Sequence, residues 1–329
     1  MVAISLDVAD LAQMRFAISP LWEVCTSQLV LRRSGDPGIH RRWVAQARTE
    51  VNEQNLRRLA SLAPSETYIA DFLTPTDVAS TRTLDDELEA MLTTPPDVLH
   101  RDLDALLKRQ HLADTAWVAH LRGLPPRDAL ACVADEVRRY WDDALARHWP
   151  RVARLLQRDV ATHSEQFAKQ GIGPTLNRIH PRLRFRSGVL EIDGACETQH
   201  GPHMTGRGVA LIASAFAWPD IHVLSNRPFT PTVTYGARGA GALWLDLDDD
   251  KGDAIDALLG AGRARVLRHI VIPATTSELA HALASAASTI SQHLGVLRDA
   301  GLATTHRDGR NVVYSITPRG RSLLAVDAV

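Results

Sequence analysis

Cysteine is scarce in this chain of 329 residues. Cys25, Cys132 and Cys196 stand far apart with no paired spacing, which argues against a disulfide scaffold and for a reducing, cytoplasmic setting. No run of eighteen apolar residues occurs, so no membrane partner is expected. The opening MVAISLDVADLAQMRF has no basic leader ahead of an uninterrupted apolar stretch, and no secretory signal is expected there. Catalytic signatures are missing as well. There is no Walker-type glycine loop and no Gly-x-Ser-x-Gly elbow, and Gly206-Arg207-Gly208 lacks both a third glycine and a helix after it. Ser214 falls inside an apolar, strand-like run, and Asp85, Asp86, Glu87 and Glu89 read as a solvated helix face. The chain is therefore not expected to be an enzyme or to carry a cofactor.

Net charge is −1, which argues against a general polyanion binder, and 45% of the residues are hydrophobic, enough for substantial cores in two or three domains. The charge is uneven. Arginine far outnumbers lysine, and between Leu258 and Leu324 eight arginines stand against three acids (Glu278, Asp299, Asp308), a balance of +5. Directly upstream lie Asp246, Asp248, Asp249 and Asp250. A basic module behind an acidic linker fits a DNA-binding domain.

Residues 275–316 carry the clearest pattern. Thr275, Thr276 and Ser277 precede Glu278, so a hydroxyl caps a helix start while Glu278 faces the positive end of the dipole. Leu279, Ala280 and Leu283 supply one apolar face, and Ala284–Ala287 suits a tight turn. Ile290, Leu294 and Leu297 then fall at spacings of four and three, one buried face of a second helix. The other face shows Ser288, Thr289, Ser291 and Gln292, short or polar groups suited to phosphates and base edges. Gly301 suits a left-handed helix end. Alternating residues then flank Arg307-Asp308-Gly309-Arg310, a hairpin with a cationic tip, and Thr317-Pro318 opens a last helix. Helix, turn, helix and basic ribbon in this order is the layout of a winged helix-turn-helix.

This segment resembles the winged-helix domain of ArsR-type bacterial transcriptional regulators, in the order SELA…L, S…ISQHL…LR.AGL and R.GR…Y.I. The resemblance covers Ala254 to about Val326. It implies a homodimer paired through Asp253–Ile270 and Pro318–Val326. It also implies that double-stranded DNA is read by Ser288, Thr289, Ser291, Gln292 and His293 on helix 286–299, with Arg307, Arg310 and Asn311 on wing 302–316. His293, beside Leu294, has a second reading as a residue hydrogen-bonded within the fold. The implied role is that of a repressor at an inverted-repeat operator. The metal-sensing members use a Cys-x-Cys pair or Asp and His pairs on the last helix. Glu278–Leu283 has no cysteine and the last helix offers only Asp327 beyond its end, so a metal effector is not implied.

Residues 1–175 read as mainly helical, with an alternating Val2, Ile4 and Leu6 at the start, one long amphipathic helix over His40–Leu62, and Pro150 marking a break. Residues 176–245 read as an antiparallel meander of four or five strands, with Ser187-Gly188 as a hairpin signal. An acidic linker, 246–252, then leads to the winged-helix domain at 253–329. The fold class is α+β: a mostly helical N-terminal region with a small antiparallel sheet, then a C-terminal winged helix-turn-helix. RFAISPLWEV, YWDDALARHWPRV and GRGVALIASAFAWP…YGARGAGALW resemble the N-terminal region of a group of actinobacterial ArsR-like regulators.

The large module either senses a small-molecule effector or mediates assembly. Trp22, Trp43, Trp117, Trp141, Trp218 and Trp244 are candidate pocket walls, and equally core or dimer-contact residues. Cys196, His200 and His203, with His222 further on, are weak candidates for zinc ligands; a polar loop containing Gly201 and Pro202 is the plainer reading. The competing function is a ligand- or metal-binding protein whose winged helix serves assembly rather than DNA reading.

Overall fold

The computed structural model describes residues 2–65, 68–75, 83–109, 112–193, 207–224, 226–244, 254–308 and 311–325. The chain forms two compact units: one takes Met1–Arg32 and Ala47–Ala237, the other Arg33–Gln46 and Arg238–Val329. The fold is α+β, a mostly helical N-terminal region with small sheets followed by a C-terminal winged helix-turn-helix.

The chain opens with β1 (Val2–Ser5), α1 (Val8–Ala12), β2 (Arg15–Ala17) and α2 (Pro20–Arg32). A helical run follows: α3 (Arg41–Glu50), α4 (Glu53–Leu62), α5 (Leu84–Leu92), α6 (Pro96–Leu107), α7 (Thr115–Gly123), α8 (Pro126–Ala144), α9 (Trp149–Gln170) and α10 (Ile172–Ile179). The long helix expected over 40–62 is two helices. Asn52 Oδ1 accepts the N–H groups of Gln54 and Asn55 at 2.9 and 3.1 Å, an N-cap that starts α4 afresh. Pro150 stands in the first turn of α9, where its missing N–H costs no hydrogen bond.

Helix α2 is buried from Pro20 to Leu31, so its polar side chains need partners inside the protein. Thr26 Oγ1 lies 2.8 Å from Trp22 O and 3.0 Å from Ser214 Oγ, and Ser27 Oγ is 3.1 Å from the Tyr140 hydroxyl. Glu23 accepts the Ala215 N–H with both carboxyl oxygens at 3.1 Å. Glu87 departs from the solvated face expected of its charge run. It is buried and accepts the Leu21 N–H at 2.7 Å, capping the start of α2, while Asp85, Asp86 and Glu89 are exposed.

The later strands are β3 (Leu183–Arg186), β4 (Val189–Ile192), β5 (Ala210–Ser214), β6 (His222–Leu224) and β7 (Thr232–Gly236). They are divided between two sheets rather than forming one meander. An antiparallel sheet has the order β1-β4-β3, and its hairpin turns at Ser187 (φ 50) and Gly188 (φ 80), the positive pair a two-residue turn needs. The second sheet has the order β2-β5-β7-β6. Its β2, β5 and β7 run parallel and only β6 is antiparallel. Both β5 and β7 are buried at every residue, as parallel strands covered on both faces are. Trp22, Trp117 and Trp141 are core residues of this unit, and Trp218 is half-buried.

The second unit contains α11 (Ala254–Leu259), α12 (Ala261–His269), β8 (Ala274–Thr275), α13 (Thr276–Ala282), α14 (Ala287–Asp299), β9 (Ala303–Asp308), β10 (Asn311–Ile316) and α15 (Pro318–Ala325). Its sheet has the order β8-β10-β9 and is antiparallel. The first helix, expected to be continuous to Ile270, is broken by Gly260 at φ +81, a conformation open to glycine. Residues 33–46 and 238–244 complete this unit. Trp43 is fully buried and stacks on Trp244 at 6.1 Å, and Trp244 Nε1 donates to His40 Nδ1 at 2.9 Å. Burial, helped by the Arg33 charge, pushes His40 down to about 3, so it remains a neutral acceptor. Gly241 lies so close to α12 that a Cβ would come within 2.1 Å of the Arg268 carbonyl. The acidic run at 246–250 lies outside the described residues.

Candidate nucleic-acid interface

Helix α13 begins with a reciprocal capping box. Thr275 Oγ1 accepts the Glu278 N–H at 3.3 Å, and Glu278 Oε2 accepts the Thr275 N–H at 2.8 Å. The other Glu278 oxygen pairs with Arg238, and the two side chains are only 12% and 14% exposed. Arg238 lies outside the expected winged-helix boundaries, and no local sequence signal ties it to Glu278. After α13 the chain turns at Ala284, with φ 48, and Ser285 N–H reaches Ala280 O at 3.0 Å.

Helix α14 shows the division of faces expected from its spacing. Ile290, Leu294 and Leu297 are 1%, 0% and 1% exposed, and this face is covered by α12 and α13. Ser288, Thr289, Ser291 and Gln292 are all exposed. His293 stands between these groups. It is half-buried, and its Nε2 comes within 2.8 Å of where a Cβ on Gly262 of α12 would lie. The absence of a side chain at Gly262 is what lets the imidazole approach α12.

The helix ends at Gly301 with φ 71. The Gly301 N–H meets Arg298 O and the Leu302 N–H meets Leu297 O, both at 2.8 Å, which satisfies carbonyls of the last turn. The wing follows, with Asp308 opposite Asn311 and Arg307 opposite Val312. Arg307 is exposed on β9. Arg310 and the side chain of Asn311 lie outside the described residues. Thr317 Oγ1 donates to Gly301 O at 2.7 Å and accepts the Gly320 N–H at 3.0 Å, which ties the start of α15 to the end of α14.

The metal candidates are not brought together by anything described. Cys196, His200 and His203 lie outside the described residues, and His222 is buried on β6 with its ring 6.1 Å from that of Trp22. Among the described residues, no group of three His, Cys, Asp or Glu side chains could hold a metal ion. Among them, too, no helix is long and apolar enough to cross a membrane.

Chemically, α14 offers hydroxyls and one amide on a rigid helix, with a guanidinium on the neighbouring ribbon. Hydroxyls and guanidinium groups suit phosphate oxygens, and the glutamine amide suits a bidentate contact to adenine. Comparison with protein families bears on this arrangement directly. Residues 272–305 match the family described as bacterial regulatory protein, arsR family. Residues 131–241 match a family of unknown function, DUF5937. Neither the curated proteins nor the solved structures returned a match. The functional element identified in this way is a DNA-binding regulatory domain, and the matched segment contains α13, α14 and the start of β9.

Proposed function

We propose that this chain, an ArsR-type regulator with a large N-terminal region, is a cytoplasmic transcriptional repressor that binds an inverted-repeat operator as a homodimer. Helix α14 enters the major groove, with Ser288, Thr289 and Ser291 against phosphates and Gln292 against a base edge. Arg307 and Arg310 hold the wing to the adjoining backbone, with Asn311 beside them. The observation that carries this reading is the exposed polar face of α14 behind a fully buried Ile290, Leu294 and Leu297. A helix that served assembly alone would present a broad apolar face outward, whereas Val296, 48% exposed, is the one large apolar side chain that α14 leaves exposed.

Two copies pair through the first and last helices of the winged-helix domain. Leu258 on α11, 68% exposed, supports that pairing, because a leucine so placed gains by burial against a second copy. The N-terminal unit senses a small molecule whose binding differs between the DNA-bound and free states, as a change in DNA affinity requires.

The test is selection of duplexes from a random pool by the full-length protein at about 0.15 M salt, where non-specific phosphate binding is weakened. The expected result is an enriched inverted repeat whose binding is lost in Gln292→Ala or Arg310→Ala. A pool that emerges without enrichment overturns the reading. Light scattering of the free protein at twice the mass of one chain checks the dimer.

A further inference from the structure

In the first unit, a cavity of about 240 Å³ lies where β2, β5, α9 and α10 meet. Leu211 and Leu176 in its lining are buried, and Phe16 and Ile172 are half-buried. On the α9 side stand Ser164 and Phe167, both exposed to solvent. None of the tryptophans contributes to the lining. Arg15 is its single charged residue, and Arg15 Nε is buried with no hydrogen-bond partner. That nitrogen is closed to water and to any ligand alike, so an anion in the cavity would meet the rest of the guanidinium, the one group of the lining that can neutralise it. The first turn of α10 lines the same space with Ile172 and Thr175, and no side chain caps that helix start. The last turns of α9 line it as well, with Ser164 and Phe167, so the negative end of that helix opposes the positive end of α10 and the charge preference rests on Arg15.

We propose that this cavity binds a small apolar monocarboxylic acid, with the tail among Phe16, Ile172, Leu176 and Leu211 and the carboxylate on Arg15. The planar guanidinium fork matches a carboxylate bidentately. The lining has no second cation to balance a doubly charged phosphate. A space of about 240 Å³ corresponds to roughly eight water volumes and admits a ligand on the order of ten non-hydrogen atoms. The consequence for transcription rests on the sensing role proposed above; the binding itself does not.

Calorimetry of the full-length chain with octanoate, and with 1-octanol as the uncharged control, tests the site. Octanoate is expected to bind saturably at one per chain. Arg15→Met keeps the aliphatic stem and should weaken octanoate by about tenfold or more while leaving octanol unchanged. Ser164→Trp alters an exposed helix position, so it leaves the fold in place, and should reduce binding of both by filling the space beside Phe167. No saturable octanoate binding, or equal octanoate affinity in Arg15→Met and the parent, overturns the proposal. Octanoate that binds through Arg15 but leaves operator affinity unchanged supports the site and refutes the sensing role. Octanoate that fails to bind refutes the site and leaves operator recognition standing.

Discussion

Glu23 makes the stability of the N-terminal unit depend on pH, and a single substitution should remove that dependence. Its side chain is fully buried on α2, and burial pushes its pKa up to about 8 from 4.5; hydrogen bonds from Ser214 and the Ala215 N–H oppose the rise and are outweighed. The folded chain thus holds this proton more tightly than the unfolded chain. The stability it contributes is fully present below about pH 4.5 and is lost as pH rises through about 8. Between those limits the slope is about 1.4 kcal/mol per pH unit, on the order of 5 kcal/mol in all. Glu23→Gln cannot ionise, and its amide oxygen still accepts the Ala215 N–H. Urea unfolding of both proteins from pH 4.5 to 9 should give curves that separate steadily, with the variant the more stable at high pH. Parallel curves would refute the reasoning, because a carboxyl that ionises at its ordinary value would add no slope in this range.

Gln292→Ala should leave the melting temperature unchanged and reduce affinity for the selected operator by about 1–3 kcal/mol at one base position, measured by fluorescence anisotropy. Leu294→Ala, on the buried side of the same helix, should instead lower unfolding stability by about 2–5 kcal/mol in denaturant titration. Arg307→Ala should weaken binding to all duplexes alike and reduce the slope of log affinity against log salt by about one. Gly241→Ala should cost about 1–3 kcal/mol in thermal unfolding, because its Cβ would stand 2.1 Å from the backbone oxygen of Arg268, which can move only with α12.

The winged helix was legible because its signals are local. Thr275 and Glu278 cap a helix three residues apart, Ile290, Leu294 and Leu297 mark one face within two turns, and Gly301 ends that helix in a conformation that glycine adopts freely. The Ser187-Gly188 turn was equally plain for the same reason. The break between α3 and α4 also had a local signal, the capping side chain of Asn52, which the apolar spacing across 40–62 concealed. Of the site, the exposed groups of α14 follow from period alone, whereas the approach of His293 to Gly262 depends on how α12 crosses α14.

From its sequence alone, this protein is determined to be an α+β chain that ends in a winged helix-turn-helix with a polar reading face. Tertiary structure decided the rest. It laid β2 parallel to β5, pairing Phe16 with Leu211, and put Trp43 into the unit that holds the winged helix. It also buried Glu23 and Glu87 and left Arg15 as the one charge in an apolar cavity. The physical reason is range. Caps, turns and helix faces are set by residues within four positions of one another. Strand pairing uses backbone groups common to every residue, and a charge is buried or solvated according to segments nearly two hundred residues away.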